Sequence, residues 1–218
     1  MEVKVKTPNA QRRTPNFEVR QAFTLIELLV VITIVVILMG LLFPAFRGVQ
    51  DQAKKTQAKN DLTQIVTAVN AFYTEYGRYP TTNASDVTFS TSPTNDQLFD
   101  VLRNNVSGSN AATVTSLNPR QIVFISPPDA KDPTNPRGGI KNSTGEYFDP
   151  WGKPYIVRID ADYDNQVDNP YTADTGAGST KIRRGVIAWS LGKDGLGGSG
   201  AKTATPPGAS DDDVISWQ

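Results

Sequence analysis

Residues 23–46 read FTLIELLVVITIVVILMGLLFPAF, and Glu27 is the single charged side chain in the block. At ~1.5 Å per residue a helix of this length reaches roughly 36 Å, enough to cross the hydrocarbon core of a bilayer. A secretory signal is the competing reading. It fails because the apolar run exceeds a usual signal core and no small-x-small cleavage site follows it. Helical character continues instead. From Arg47 to Tyr76 there is no proline, and Gly48 is the single glycine. Leu62, Ile65, Val66, Val69, Phe72, Tyr73 and Tyr76 recur in steps of three and four, the signature of one apolar helix face. Lys54, Lys55, Lys59 and Asp61 fall among polar neighbours, and Gly77 and Pro80 supply the stop. One helix is therefore expected over residues 23–76, apolar all round in its first half and amphipathic in its second. Pro44 lacks an amide proton, which predicts a kink or local melting there.

Upstream, residues 1–22 carry Lys4, Lys6, Arg12, Arg13 and Arg20 against Glu2 and Glu18. Such a segment is expected to be a disordered basic leader, retained in the cytoplasm by the positive-inside tendency.

The whole chain has 218 residues, with 22 Lys+Arg balancing 22 Asp+Glu. Zero net charge and the lack of a basic, aromatic-rich stretch argue against nucleic acid as a partner. Without cysteine there is no disulfide framework or thiolate metal site. Without histidine there is no Ser-His-Asp triad and no ordinary zinc site. No carboxylate pair has a recognisable catalytic context, so the chain is not expected to be an enzyme.

Residues 81–218 read as a polar head. A short helix is expected over Asp96–Asn104, and GSNAATVTS after it reads as loop. Gln121–Ile125, Tyr155–Ile159 and Val186–Ser190 are strand candidates, short, rich in β-branched and aromatic residues, and bounded by turns. Short strands in series predict an antiparallel sheet packed on the amphipathic half-helix. In DPWGKP, Pro150 fixes φ and Gly152 permits a positive φ, so a turn feeds a strand, with Trp151 a core or lid aromatic. The acids of DADYDNQVD (Asp160, Asp162, Asp164, Asp168) begin with the spacing of a calcium loop. Asn165 stands where that loop needs glycine and Tyr171 where it needs glutamate, so a polar hairpin loop is expected. The fold class is thus α+β, divided into a leader (1–22), a transmembrane and assembly half-helix (23–46), an amphipathic half-helix (47–80) and a head with a C-terminal loop (81–218).

The run RQAFTLIELLVVI resembles the processing signal of type IV prepilins and type II secretion pseudopilins. The resemblance implies cleavage by a prepilin peptidase between Ala22 and Phe23, with N-methylation of Phe23. Glycine usually precedes the cut in that family; here it is Ala22. Glu27 takes the family's glutamate position and Pro44 its helix-breaking proline. A carboxylate in a membrane helix costs on the order of 2.5–3.5 kcal/mol and so calls for a partner. The family implies the free amine of a neighbouring subunit. Further on, YTEYGRYP, FDPWGKPYIV, WSLGKDGLGG and DDDVISW occur in that order and are similar to the major pseudopilins of type II secretion systems. This resemblance implies a Ca2+ site formed by the Leu191 carbonyl, Asp194 and one or two of Asp211, Asp212 and Asp213. Six to eight oxygen ligands suit that ion. The stretch AKTATPPGAS lengthens the loop between turn and acids. The implied partners are copies of the chain in a helical homopolymer, minor pseudopilins, the peptidase, an inner-membrane assembly platform and, before assembly, the membrane. The implied location is the inner membrane and then a periplasmic filament. A surface pilus is the alternative, and a membrane-tethered periplasmic binding domain a more distant one.

Overall fold

The computed structural model describes residues 23–171, 177–196 and 212–217, leaving aside the side chains of residues 41–47. One helix, α1, runs from Leu25 to Tyr76. It is continuous through Pro44, so the local melting expected there is not seen. Gly77, at φ +66°, ends the helix, its N–H bonding back to the Tyr73 carbonyl at 2.8 Å.

Two compact units meet between Arg47 and Gly48. In the first, every described side chain from Phe23 to Gly40 is exposed. Among the described residues no helix is long and apolar enough to cross a membrane. The part of the expected 23–46 span beyond Gly40 falls on side chains outside the described set.

In the second unit, the amphipathic half of α1 buries Ala58, Leu62, Ile65, Val69 and Phe72, each at 0% exposure. The steps of four, three, four and three keep them on one face. Burying a side chain such as Phe72 contributes roughly 1.5–3 kcal/mol. Against this stripe the chain builds β1 (Val87–Phe89), α2 (Asp96–Arg103), α3 (Ala111–Leu117), β2 (Gly139–Ile140), β3 (Tyr147–Phe148), β4 (Ile156–Ile159), β5 (Val167–Asp168), β6 (Lys181–Ile182), β7 (Val186–Ser190) and β8 (Val214–Ile215). An antiparallel four-stranded sheet has the order β1-β4-β7-β8, and β2-β3 and β5-β6 form two-stranded ribbons. Strand β7 is buried along its whole length, which explains the unbroken apolar run Val186–Trp189 before Ser190. Val186 and Ala188 join the core that includes α1. Ile187 and Trp189 face a second cluster with Val167, Tyr171, Ile182 and Ile215.

The structure is α+β with small antiparallel sheets, as the sequence suggested, and β4, β7 and α2 lie where expected. Two local readings are corrected. Residues 121–125 are not a strand. Their backbone is spent elsewhere: Phe124 N–H donates to Leu102 O at 2.8 Å, and Asn118 brackets Ile122, its Oδ1 accepting from Ile122 N–H and its Nδ2 donating to Ile122 O. Phe124 packs on Phe72 and Tyr76. Conversely, Ala111–Leu117, taken as loop, is helical, with Val114 and Leu117 buried three apart on its inner face.

Candidate functional site

At the start of α1, Glu27 closes a reciprocal cap. Its carboxylate accepts from Thr24 N–H at 2.9 Å and from Thr24 Oγ1 at 2.7 Å, and Thr24 Oγ1 accepts from Glu27 N–H at 3.3 Å. Thr24 is the N-cap residue and Glu27 the third helical residue, so two orphan amides of the helix end are satisfied. The Thr-x-x-Glu spacing was visible in the sequence and was missed beneath the stronger apolar signal. Phe23 is 78% exposed, with Ile26, Glu27, Val30 and Val31 lining an apolar groove next to it. Ala22 lies outside the described residues.

The second site is assembled by the end of β7, the turn that follows and the residues entering β8. Asp149 ties the DPWGKP turn together. Its Oδ1 accepts the N–H groups of Trp151, Gly152 and Lys153 at 2.8–2.9 Å, while Ser190 Oγ donates to its Oδ2 at 2.6 Å. Gly192 N–H donates in turn to Ser190 Oγ at 3.1 Å. The SLGKDG turn is thereby fixed to the DPWGKP turn. The Leu191 carbonyl accepts Gly195 N–H at 3.2 Å and closes it. Gly192 sits at φ +61°, and a Cβ there would approach Asp212 Cγ to 2.7 Å. Glycine therefore serves both the left-handed conformation and the close approach.

Through that gap Asp212 Oδ2 accepts the backbone N–H groups of Lys193 and Asp194. Asp213 is buried, and Tyr171 donates its hydroxyl to Asp213 Oδ2 at 2.6 Å. The other oxygen, Asp213 Oδ1, is buried without a partner. Burial pushes the Asp213 carboxyl up to about 7, with Asp212 and Asp194 adding to the rise and the Tyr171 hydrogen bond opposing it. Carboxylate oxygens of Asp194, Asp212 and Asp213 all lie within 4.8 Å of one another. The chain thus brings together three of the acids expected to hold metal, with the Leu191 carbonyl in the same turn. Asp211 lies outside the described residues. An oxygen-only donor set, one buried oxygen of which lacks a donor, fits a hard cation. Trp217, which follows these acids, packs at 6.1 Å from Trp189 and donates its indole N–H to Ala177 O at 2.7 Å.

The loop at 160–168 is organised differently. Asp160 accepts backbone N–H groups from Asp164 at 3.2 Å and Asn165 at 2.8 Å, which folds the loop over its own carboxylate. Asp86 and Asp162 come within 4.8 Å of it, and Asp86 accepts from Ala161 N–H.

Comparison with known proteins finds likenesses over the N-terminal half of the chain. Residues 19–43 match the prokaryotic N-terminal methylation motif, and residues 46–108 match the type II secretion system protein G family. The type II secretion system core protein G of Escherichia coli is 34% identical over 64 residues, which is 29% of this chain and 44% of that protein. Its Pseudomonas aeruginosa counterpart is 40% identical over 63 residues, again 29% and 44%. The type IV major pilin protein of Myxococcus xanthus is 39% identical over 59 residues, 27% of each chain. The chain spans less than half the length of these curated relatives. No solved structure matches it.

Proposed function

We propose that this chain, a type IV pilin-like protein by its methylation motif and its match to protein G, is the major structural subunit of a type II secretion pseudopilus. The observation that carries this reading is the adjacency of the two matches along the chain, the methylation motif covering the apolar half of α1 and the protein G likeness starting on its amphipathic half and running on through α2. The role is structural rather than catalytic.

In this reading the apolar block 23–46 holds the precursor in the inner membrane, and the peptidase cuts between Ala22 and Phe23. The freed Phe23 amine is methylated. Exposed apolar side chains from Phe23 to Met39 then pack against copies of themselves in a helical, non-closing polymer. Glu27, capped by its own Thr24, exchanges part of that cap for the amine of a neighbouring subunit and so sets axial register. Pro44 marks the junction at which the helix adapts on assembly. Minor pseudopilins and the inner-membrane platform are the partners, and the filament works in the periplasm.

Calcium belongs to the same reading. Asp194, Asp212, Asp213 and the Leu191 carbonyl would hold it, with Asp211 beside them in sequence. Bound there, the ion would neutralise clustered carboxylates and supply the partner that Asp213 Oδ1 lacks.

The test is intact mass and N-terminal sequencing of the chain recovered from its native membranes. A start at Phe23 carrying one extra methyl group is expected. A start at Met1, or after the apolar block, would overturn the filament reading. The likeness to a major pilin favours a surface pilus as the second reading; recovery of filaments from the cell exterior, not the periplasm, would decide for it.

A further inference from the structure

Between α2, the loop that follows it and the β2–β3 hairpin lies a cavity of about 590 Å³. Asp96, Asp100 and Glu146 supply carboxylates to its lining, and among the described residues no lysine or arginine lines it. Asp96 and Asp100 are one turn apart on α2 and share a face. They retain only 9% and 1% of their exposure.

The hydrogen bonds around these acids come from neutral amides. Asn110 Nδ2 donates to Asp96 Oδ2 at 2.8 Å and to Asp100 Oδ2 at 2.9 Å, and Asn105 Nδ2 donates to Asp100 Oδ1 at 2.8 Å. Asp96 Oδ1 is buried with no partner at all. The positive end of α2 helps Asp96 in the first turn, but that effect fades before Asp100. Two adjacent buried carboxylates without a cation carry a large desolvation cost. The surrounding backbone packs closely over them, with glycine where a side chain would collide. A Cβ on Gly145, which sits at φ +84°, would come within 2.8 Å of Asp100 Oδ1, and one on Gly108 within 3.1 Å of Asp100 Oδ2.

We infer that this cavity binds a hard divalent cation of the calcium class, held by Asp96 Oδ1 and Asp100 and completed by water and the hydroxyl-bearing rim. The donors are all oxygen, which selects calcium over softer metals. Each carboxylate oxygen already bonded to an amide keeps a second acceptor site. The site is separate from the acidic turn at 191–195 and does not depend on the filament reading. Asp96 and Asp100 fall inside the stretch 46–108 that matches the protein G family, whereas Glu146 lies beyond it.

The test uses the metal-stripped full chain in detergent, carrying Asp212→Asn and Asp213→Asn to silence the C-terminal turn. Equilibrium dialysis against radioactive calcium should show saturable binding in the submillimolar to millimolar range, and adding Asp96→Asn should weaken it by about tenfold or more. Saturable binding that is absent, or that Asp96→Asn leaves unchanged, overturns the inference. Should the C-terminal substitutions unfold the head, hydrogen exchange on the unaltered chain gives the answer. Calcium-dependent protection of residues 96–103 and 141–146 supports the site, and protection confined to 190–196 and 212–217 overturns it.

Discussion

The two halves of α1 have the same backbone and opposite relations to their surroundings. From Phe23 to Gly40 all described side chains are exposed, and Glu27 is the one charge among them. From Ala58 to Phe72 a single stripe is fully buried, and Asp61 lies buried beside it, accepting the Tyr155 hydroxyl at 2.8 Å. One half keeps its apolar surface exposed, and the other buries its apolar stripe against the head. The comparison teaches that helix formation and helix function are separable here: the first is continuous across Pro44, and the second changes character along the way.

The sharpest way to break the comparison is to change one half and read the other. On the proposed filament reading, Glu27→Ala should abolish assembly, seen as loss of sedimentable polymer, and leave the thermal melting of the head unmoved. An equal drop in both would mean that the halves are not independent. Phe72→Ala should do the reverse, costing the head about 3–5 kcal/mol in denaturant unfolding.

Asp61 gives a finer probe. Asp61→Ala strands the buried Tyr155 hydroxyl and should cost about 1–3 kcal/mol, whereas Asp61→Asn keeps an acceptor and should be close to neutral. Burial raises the Asp61 pKa above its ordinary 3.8, with the Tyr155 and Tyr147 hydroxyls opposing the rise. The folded chain then holds that proton more tightly than the unfolded one. The Asp61 contribution to stability must therefore fall as pH climbs from the unfolded value to the raised folded one, and flatten above it. Unfolding curves measured across this interval should lose that component in Asp61→Asn. The smallest effect is expected at the exposed Arg120–Glu75 pair, where Arg120→Ala should change stability by no more than about 0.5 kcal/mol.

How much of this was legible beforehand depended on whether a signal was local. The helix over 25–76 was, from an unbroken apolar run in its first half and a repeating apolar stripe in its second, as were β4 and β7, short apolar runs between turns. The segment 121–125 has the composition of a strand, but Asn118 and the α2 carbonyls claim its backbone, a competition that composition does not record. Helix α3 was overlooked because Thr, Val and Ser are poor helix formers and outweigh its two alanines, and two buried positions settle the matter only when a core is present. Asp194, Asp212 and Asp213 were picked out by resemblance. That Asp213 would be the buried one, aimed inward by Tyr171 from a distant segment, needed the fold. Asp96, Asp100 and Asn110 were invisible as a group, since nothing in their spacing says that a loop returns the asparagine to both acids.

The last strand has a consequence for how the molecule comes into being. Strand β8 is an edge of the main sheet, and Lys59 of α1 donates to the Ile215 carbonyl at 2.7 Å across 156 positions of sequence. The amphipathic half of α1 thus waits for one of its partners until residue 215 has left the ribosome. Contacts of such separation are slow to form, because the entropy of closing the intervening chain is lost before the contact returns anything. Synthesis therefore completes the N-terminal helix well before the head can close, and a chain stalled short of residue 214 is held with its sheet incomplete.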